Sequence, residues 1–266
     1  MSFIIDPYRY ASCPAEALAF IAAAGITDAT QKQAICTLVS DLQTYGIWTK
    51  MKAIYPFVGG TSSTHKWNLK DPRDLNAAFR LVFFGGGSHG TGGWTPNGTN
   101  GYADSFLTPN TSLTFNSTHM SYYSRTSTSN SGVDDFGAFN NVDRIQRLII
   151  KAGGATDNIV DMNSTSQRAL GIVTNPSGFF IANRENSTSL KSIKNNTLLG
   201  INTNTNTGTL PSISMYLSAL NNNGSAVNYS ARQCSFASIG DGLTDTEAAN
   251  FYTAVQKYQT TLGRQV

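Results

Sequence analysis

The hydrophobic and polar positions follow a helical period near the start of the chain. An alanine-rich run over residues 15–24 is followed by apolar residues that recur at intervals of three and four from Ile35 to Tyr45. Asp28 or the residue before it is placed to cap this second segment, and Gly46 to end it. Both segments therefore predict helices that bury one face, and residues 47–55 predict a short helix or an extended arm.

The helical pattern returns at the C-terminus. In Thr244-Asp-Thr-Glu247 a threonine hydroxyl can accept from a free backbone N–H while the glutamate reaches back to the cap. An apolar stripe through Phe251 and Tyr258 follows, and Gly263 ends it. The pattern predicts a C-terminal helix.

Between these ends, short apolar or alternating runs are separated by clusters of Gly, Asn, Pro and Ser, which is typical of an antiparallel sandwich or barrel. Asn195-Asn196 separates two runs and predicts a tight hairpin turn, because asparagine tolerates positive φ. The predicted strands are residues 79–84, 113–115, 120–125, 134–139, 144–151, 159–161, 168–173, 178–184, 189–194, 197–201, 212–219 and 233–239.

The change of pattern divides the chain into a helical lead-in or attachment segment over residues 1–56 and a sandwich with its C-terminal helix over residues 57–266. Charged residues are only 13% of the chain, about half the usual share of roughly a quarter. A net charge of +3 without a stripe of Lys or Arg predicts no nucleic-acid partner. The longest apolar stretch, residues 17–26, is much shorter than the roughly twenty residues that a membrane helix needs, so no membrane insertion is expected.

The three cysteines are widely spaced and form no CxxC motif. This favours small buried hydrophobic side chains in a reducing compartment for Cys13, Cys36 and Cys234. The start of the chain lacks a basic segment followed by a long apolar one, so no secretory signal is predicted and synthesis in a cytoplasm without export is expected.

Three familiar catalytic or cofactor patterns are weak. The run Gly85-Gly-Gly-Ser-His-Gly90 matches GxGxxG, but residues 91–98 cannot form the helix that a dinucleotide site requires, so a flexible loop is predicted. No strand carries alternating acidic residues that would supply the two carboxylates of a glycosidase. The histidines lie in separate segments, which argues against a metal site; they are His65, His89 and His119. We therefore expect no enzyme.

The most suggestive stretch runs from residue 94 to residue 104 and offers aromatic faces, amides and one carboxylate. These are the groups of a sugar-binding site, and Asp104 could also help hold a calcium ion as a cofactor. The simpler interpretation, which we favour from sequence, is a long loop whose aromatic residues pack on the sandwich. The candidate ligand-binding residues are Trp94, Asn97, Asn100, Tyr102 and Asp104.

Several segments resemble known families. Residues 233–256, which begin Gln233-Cys-Ser-Phe-Ala-Ser-Ile-Gly, resemble the end of concanavalin A-like (laminin G-like) jelly-roll domains, in which a final strand leads into a terminal helix. Residues 179–199 resemble a hairpin of the same domains, and residues 46–60, 65–74 and 97–104 are similar to structural proteins of tailed bacteriophages. The resemblance covers roughly residues 26–266. It implies a mainly β fold, an antiparallel two-sheet jelly-roll sandwich with N-terminal helices and a C-terminal helix.

The resemblance implies a non-enzymatic virion structural protein of a phage, displayed on the capsid or tail and held by contacts with its own copies and with other virion proteins. Exposed aromatics of the lead-in would make these contacts; the alternative is that they cover an open edge of the sandwich. The candidates are Trp48, Tyr55 and Phe57. The second hypothesis is a glycan-binding module for host attachment that uses the stretch from residue 94 to residue 104.

Overall fold

The computed structural model describes residues 13–127, 132–153 and 158–266. The helices are α1 (Ala15–Ala23), α2 (Ala29–Thr44), α3 (Ser62–His65), α4 (Pro109–Ser112) and α5 (Asp245–Thr261). The strands are β1 (Met51–Tyr55), β2 (Val82–Phe84), β3 (Gly87–Gly90), β4 (Gly93–Pro96), β5 (Tyr102–Asp104), β6 (Thr118–Ser124), β7 (Phe136–Asn141), β8 (Arg144–Ile149), β9 (Asn158–Met162), β10 (Ala169–Gly171), β11 (Gly178–Asn186), β12 (Ser189–Lys194), β13 (Thr197–Asn202), β14 (Tyr216–Leu217), β15 (Leu220–Asn222), β16 (Ser225–Val227) and β17 (Cys234–Gly240).

The strands form two sheets that pack face to face. The first sheet has the order β13-β12-β11-β6-β17-β4-β3, and β1 also pairs with β17. The second has the order β10-β9-β8-β7-β14-β5-β2, with β15 and β16 attached at β7. Apart from the parallel pairing of β15 with β7, the strands pair antiparallel. The predicted mainly β, jelly-roll-like two-sheet sandwich is confirmed.

The sandwich has one helical layer, and it covers the first sheet. Because side chains alternate along a strand, Tyr122 enters the core between the sheets and Tyr123 points to the helices. On the helical side Phe179 packs edge-on against Phe251 of α5, with the ring centroids 5.2 Å apart. On its other face the second sheet exposes side chains such as Phe84, which is 42% exposed. The helical layer therefore leaves this face of the second sheet uncovered.

The local signals for element ends are confirmed. The side chain of Asp28 accepts from the backbone N–H of Gln31 at 2.8 Å, and Thr244 and Glu247 form the predicted capping box at the start of α5. In the hairpin turn Asn195-Asn196 both residues have positive φ, 46° and 63°. These features depend on residues within a few positions of one another.

The strand predictions fail where pairing partners are distant in sequence. Of the short helix or extended arm predicted over residues 47–55, residues 48–50 form one helical turn and residues 51–55 are extended, but the sequence did not show that they pair as β1; the predicted glycine-rich loop contains β3. Residues 113–115 do not form a strand, and only residues 216–217 of the predicted strand 212–219 do. Short segments of this kind become strands because long-range neighbours supply their hydrogen bonds.

The predicted exposed aromatics of the lead-in are buried. Tyr55 is fully buried and donates to the carbonyl oxygen of Phe79 at 2.7 Å, while Phe57 is 1% exposed. Trp48 is 8% exposed, and the ammonium of Lys70 lies 4.3 Å from its ring centroid. The expectation that these three residues form an exposed interface is wrong. Strand β1 pairs within the first sheet, so Tyr55 and the nearby Trp48 and Phe57 pack into the buried clusters on either side of that sheet.

The described part of the lead-in packs on the sandwich. Apolar side chains of α1 and α2 share one buried cluster with α5 and the first sheet; they include Phe20, Ile35, Leu38 and Val39. Residues 13–55 thus help to build the helical layer and one strand. In the described ranges no helix is both long and apolar enough to cross a membrane.

The expectation of three unpaired cysteines is wrong for two of them. Cys13 and Cys36 form a disulfide with their Cα atoms 4.9 Å apart, which ties the start of α1 to α2. Cys234 is a free, fully buried thiol in β17. The pairing follows from the packing of α1 against α2, which the cysteine spacing does not reveal.

Replacing Cys13 and Cys36 together by serine is expected to lower the free energy of unfolding by about 3 kcal/mol, because the bridge closes a loop across 23 positions. Urea unfolding of the oxidised protein and of the variant measures the difference. A reductant should bring the native protein to the stability of the variant and leave the variant unchanged. Equal stabilities before reduction would contradict the disulfide.

Candidate functional site

Strand β5 brings two of the five predicted ligand-binding residues to the solvent face of the second sheet. Tyr102 and Asp104 alternate with Ala103, which is fully buried between the sheets, so both side chains point to the opposite face. The flanking strands place Phe84 of β2 opposite Tyr102 and Tyr216 of β14 opposite Asp104. Three neighbouring strands therefore present one continuous surface.

Four rings on this surface form what we call the aromatic row: Phe84, Tyr102, Tyr216 and Tyr229. The ring of Tyr102 lies between its neighbours, stacked on Phe84 with centroids 5.0 Å apart and tilted toward Tyr216 at 4.7 Å. Tyr229 lies 6.2 Å from Tyr102. Phe84 is 42% exposed and Tyr216 is 8% exposed. The row thus offers the outer face of Phe84 and the hydroxyl edges of the tyrosines.

The tyrosine hydroxyls differ in their partners. Tyr229 donates to the carbonyl oxygen of Ala226 at 2.7 Å. Among the described residues the hydroxyls of Tyr102 and Tyr216 have no protein hydrogen-bond partner. Burial, followed by the charge of Asp104, raises the pKa of Tyr216 to about 12 and also raises the pKa of Tyr102. Both hydroxyls therefore stay protonated near neutral pH and can donate to a ligand.

Asp104 supplies the carboxylate of the surface. One of its oxygens accepts from the backbone N–H of Phe106 at 2.8 Å. Burial raises the pKa of Asp104 above its ordinary value of 3.8, and hydrogen bonds from Phe106 and Ser214 oppose this shift. The same carboxylate raises the pKa of the facing tyrosines, so its charge acts across the aromatic row.

Beyond Gly137 of β7, the face of the second sheet carries paired charges. Arg147 of β8 contacts Asp161 of β9 with an N–O distance of 2.5 Å, and Arg168 contacts the other oxygen of Asp161 at 3.1 Å. Arg147 also lies 3.6 Å from Asp134, whose pKa is raised by burial to about 6. The two guanidinium groups are therefore held by buried carboxylates.

The two predicted asparagines organise the turn into β5. Asn97 Oδ1 accepts from the backbone N–H groups of Thr99, Asn100 and Gly101 at 2.9–3.1 Å. Asn100 Oδ1 accepts from the backbone N–H of Gly86 at 2.9 Å and from the Asn97 amide at 2.7 Å. Both side chains are exposed, but their amide oxygens hold β2 and β5 in register, a structural role.

Trp94 does not lie on this surface. It is 1% exposed in β4 and packs between the sheets, with its ring centroid 5.0 Å from that of Phe83 and 6.2 Å from that of His89. The expectation that its face is available to a sugar is wrong. The sequence-based alternative, packing on the sandwich, holds for Trp94, whereas Tyr102 reaches the solvent face.

Two of the three histidines come together although the sequence separates them. The Nδ1 atoms of His65 and His89 are 2.9 Å apart, so one ring donates to the other. His65 is 1% exposed, and burial, the neighbouring His89 and Arg264 lower its pKa to about 3. His119 is buried elsewhere, with its Nδ1 2.6 Å from the carbonyl oxygen of Asp241.

Across residues 13–127, 132–153 and 158–266, no group of three or more His, Cys, Asp or Glu side chains is arranged to hold a metal ion. The calcium ion suggested for Asp104 stays a prediction. One carboxylate, that of Asp104, lies beside the aromatic row, whereas glycoside hydrolysis uses a pair.

Sequence reasoning missed Phe84, Tyr216 and Tyr229. They come from separate segments and meet only because β2 and β14 flank β5 and the segment after β16 returns to the same face. The alternation of Phe84 with the core residue Phe83, and of Tyr216 with Leu217, is a signal that could have assigned each ring to one face. It could not have shown which strands are neighbours.

The fold and this surface define a sandwich domain with an open aromatic face. No protein-family model and no curated protein matches the chain. Among solved structures, the chain is similar to domain 4 of AbnA, a GH43 extracellular arabinanase from Geobacillus stearothermophilus, in complex with arabinotriose. The identity is 16% and the TM-score 0.51, over 76% of this chain and 98% of that one. This likeness shows the fold.

Two further structures are more distant. The receptor binding domain of the botulinum neurotoxin C/D mosaic serotype is 10% identical with a TM-score of 0.42, over 78% of this chain and 52% of that one. A mutant of the NanB sialidase from Streptococcus pneumoniae is 13% identical with a TM-score of 0.36, over 52% of this chain and 24% of that one. A role in a phage virion stays a prediction.

The substitution His65→Asn is expected to flatten the pH dependence of stability between about pH 6 and pH 4. The pKa of His65 is about 3 when folded and about 6.5 when unfolded, so the unfolded chain binds one more proton in this window. The contribution of His65 to the free energy of unfolding is complete above the pKa that this histidine has in the unfolded chain. It is lost as the pH falls below that value, with a slope of about 1.4 kcal/mol per pH unit.

Urea unfolding of the native protein and the variant across this pH range gives the two slopes. His119, with a folded pKa of about 4, is unchanged in the variant and supplies a remaining slope as an internal control. An identical slope in both proteins would contradict the burial of a neutral His65.

Proposed function

We propose that this protein binds a glycan on the aromatic row of the second sheet. The observation that carries the proposal is the juxtaposition of Phe84, Tyr102 and Tyr216 with the carboxylate of Asp104 on the open face of the sandwich. A sugar ring has an apolar C–H face and a rim of hydroxyl groups, and this surface offers a partner for each.

The outer face of Phe84 is the apolar platform, because its other face is covered by Tyr102. The free hydroxyls of Tyr102 and Tyr216 can donate to or accept from sugar hydroxyls. The carboxylate of Asp104 accepts from further sugar hydroxyls, and a charged acceptor makes the stronger hydrogen bonds. Adjacent strands hold all four side chains, so little ordering is required when a ligand binds.

The comparison with the arabinanase domain supports the proposal at the level of the fold. That domain was solved with arabinotriose, and this chain spans 98% of it. The aromatic row is described from this chain alone, and it supports glycan binding through its exposed ring, its free hydroxyls and the neighbouring carboxylate. The proposal covers glycan recognition; host attachment and assembly on a virion remain predictions from the sequence.

Phe84→Ala is expected to weaken glycan binding about tenfold, because it removes the apolar platform, a loss on the order of 1.4 kcal/mol. The matched control is Phe115→Ala, which removes a ring of similar exposure, 36% against 42%, outside the aromatic row. A glycan array followed by calorimetry on the strongest ligand measures both. Equal affinities for the two variants, with unchanged thermal stability, would exclude Phe84 from the site.

Glycan affinity is expected to fall at acid pH because the pKa of Asp104 is raised by burial. The ionised carboxylate accepts stronger hydrogen bonds from sugar hydroxyls than the protonated acid does, so the affinity is highest above this pKa and decreases as the pH falls through it. Asp104→Asn should bind more weakly at neutral pH and show a flat profile. If glycan affinity still fell at acid pH in Asp104→Asn, the titrating group would be a residue other than Asp104.

A further inference from the structure

The charge of the proposed glycan site comes from one carboxylate. Among the described residues Asp104 forms no ion pair, and its hydrogen bonds come from the backbone of Phe106 and from Ser214. It stands directly opposite Tyr216 and two residues from Tyr102 on the same strand face. A ligand on the aromatic row therefore meets a half-buried negative charge without a cation beside it.

The cations that share this face are already engaged. Arg147 and Arg168 both form ion pairs with Asp161, which is fully buried. Arg147 also lies beside the buried Asp134. Recruiting either guanidinium to an anionic ligand would remove one of the two cations that neutralise the buried Asp161, which is unfavourable.

We propose that the aromatic row selects neutral sugars and rejects acidic ones, with Asp104 as the specificity-determining residue. This inference rests on the proposed glycan-binding function. The hydroxyl groups of a neutral sugar donate to Asp104. The carboxylate of a uronic acid, or a sulfate ester, brings a second negative charge into the same partly desolvated surface, where repulsion is weakly screened. Specificity here comes from repulsion as much as from attraction.

The test compares a neutral trisaccharide, arabinotriose, with an acidic one of the same length, trigalacturonate. Calorimetric titrations at pH 7 and low ionic strength use the full chain, Asp104→Asn and Asp245→Asn. The last variant is the matched control, because it removes the same charge at an exposed position on α5, beside the first sheet. It therefore accounts for any effect of net charge alone.

The expected result is that the native protein binds the neutral sugar at least about tenfold more tightly than the acidic one. Asp104→Asn should lose affinity for the neutral sugar and narrow that ratio severalfold, whereas Asp245→Asn should keep the native ratio. Equal binding of both sugars by the native protein would overturn the selectivity and leave the proposed function standing. An unchanged ratio in a folded Asp104→Asn would overturn the role of Asp104. Binding of neither sugar, with no hit on a glycan array, would overturn the proposed function and this inference together.

Discussion

The structure depends on the burial of both faces of the first sheet. Its central strands β6, β11 and β17 carry apolar side chains on alternate sides, so that Tyr122 and Phe180 enter the core between the sheets while Tyr123 and Phe179 meet the helices. A strand buried on both sides cannot present a polar ligand site without leaving buried polar groups unpaired. The first sheet is therefore the scaffold, and the described lead-in and C-terminal helices complete it.

The second sheet has the opposite character because one of its faces meets solvent. Its inner face contributes apolar residues to the core between the sheets, and its outer face carries tyrosines, a half-buried aspartate and paired charges. The charged groups near β8 and β9 form ion pairs with one another, whereas β5 and β14 leave hydroxyls and a carboxylate available. This difference within one face is the reason for placing the proposed binding site on β5 and β14 rather than on β8 and β9.

The candidate site was only partly predictable. The sequence indicated Tyr102 and Asp104 because an aromatic residue and a carboxylate stood close together in a polar stretch. It grouped them with Trp94, which is buried in the core because β4 pairs within the first sheet. It also grouped them with Asn97 and Asn100, whose amide oxygens accept hydrogen bonds within the turn. The partners of Tyr102 are Phe84 and Tyr216, which no local pattern connects to it. The proposed sugar-binding surface is assembled across three strands, so adjacency along the chain is a poor guide to its members.

By itself the sequence determined the features that act over a few residues: the cap of α2 at Asp28, the capping box of α5, the positive-φ turn at Asn195-Asn196 and the mainly β pattern between the helices. Only the tertiary structure decided the disulfide between Cys13 and Cys36, the burial of Trp48, and the assembly of the aromatic row. The physical reason is the distance along the chain between the groups that interact. Caps, turns and periodicity arise from neighbouring backbone groups, whereas burial and sheet order depend on contacts between distant segments, which a single sequence does not specify locally.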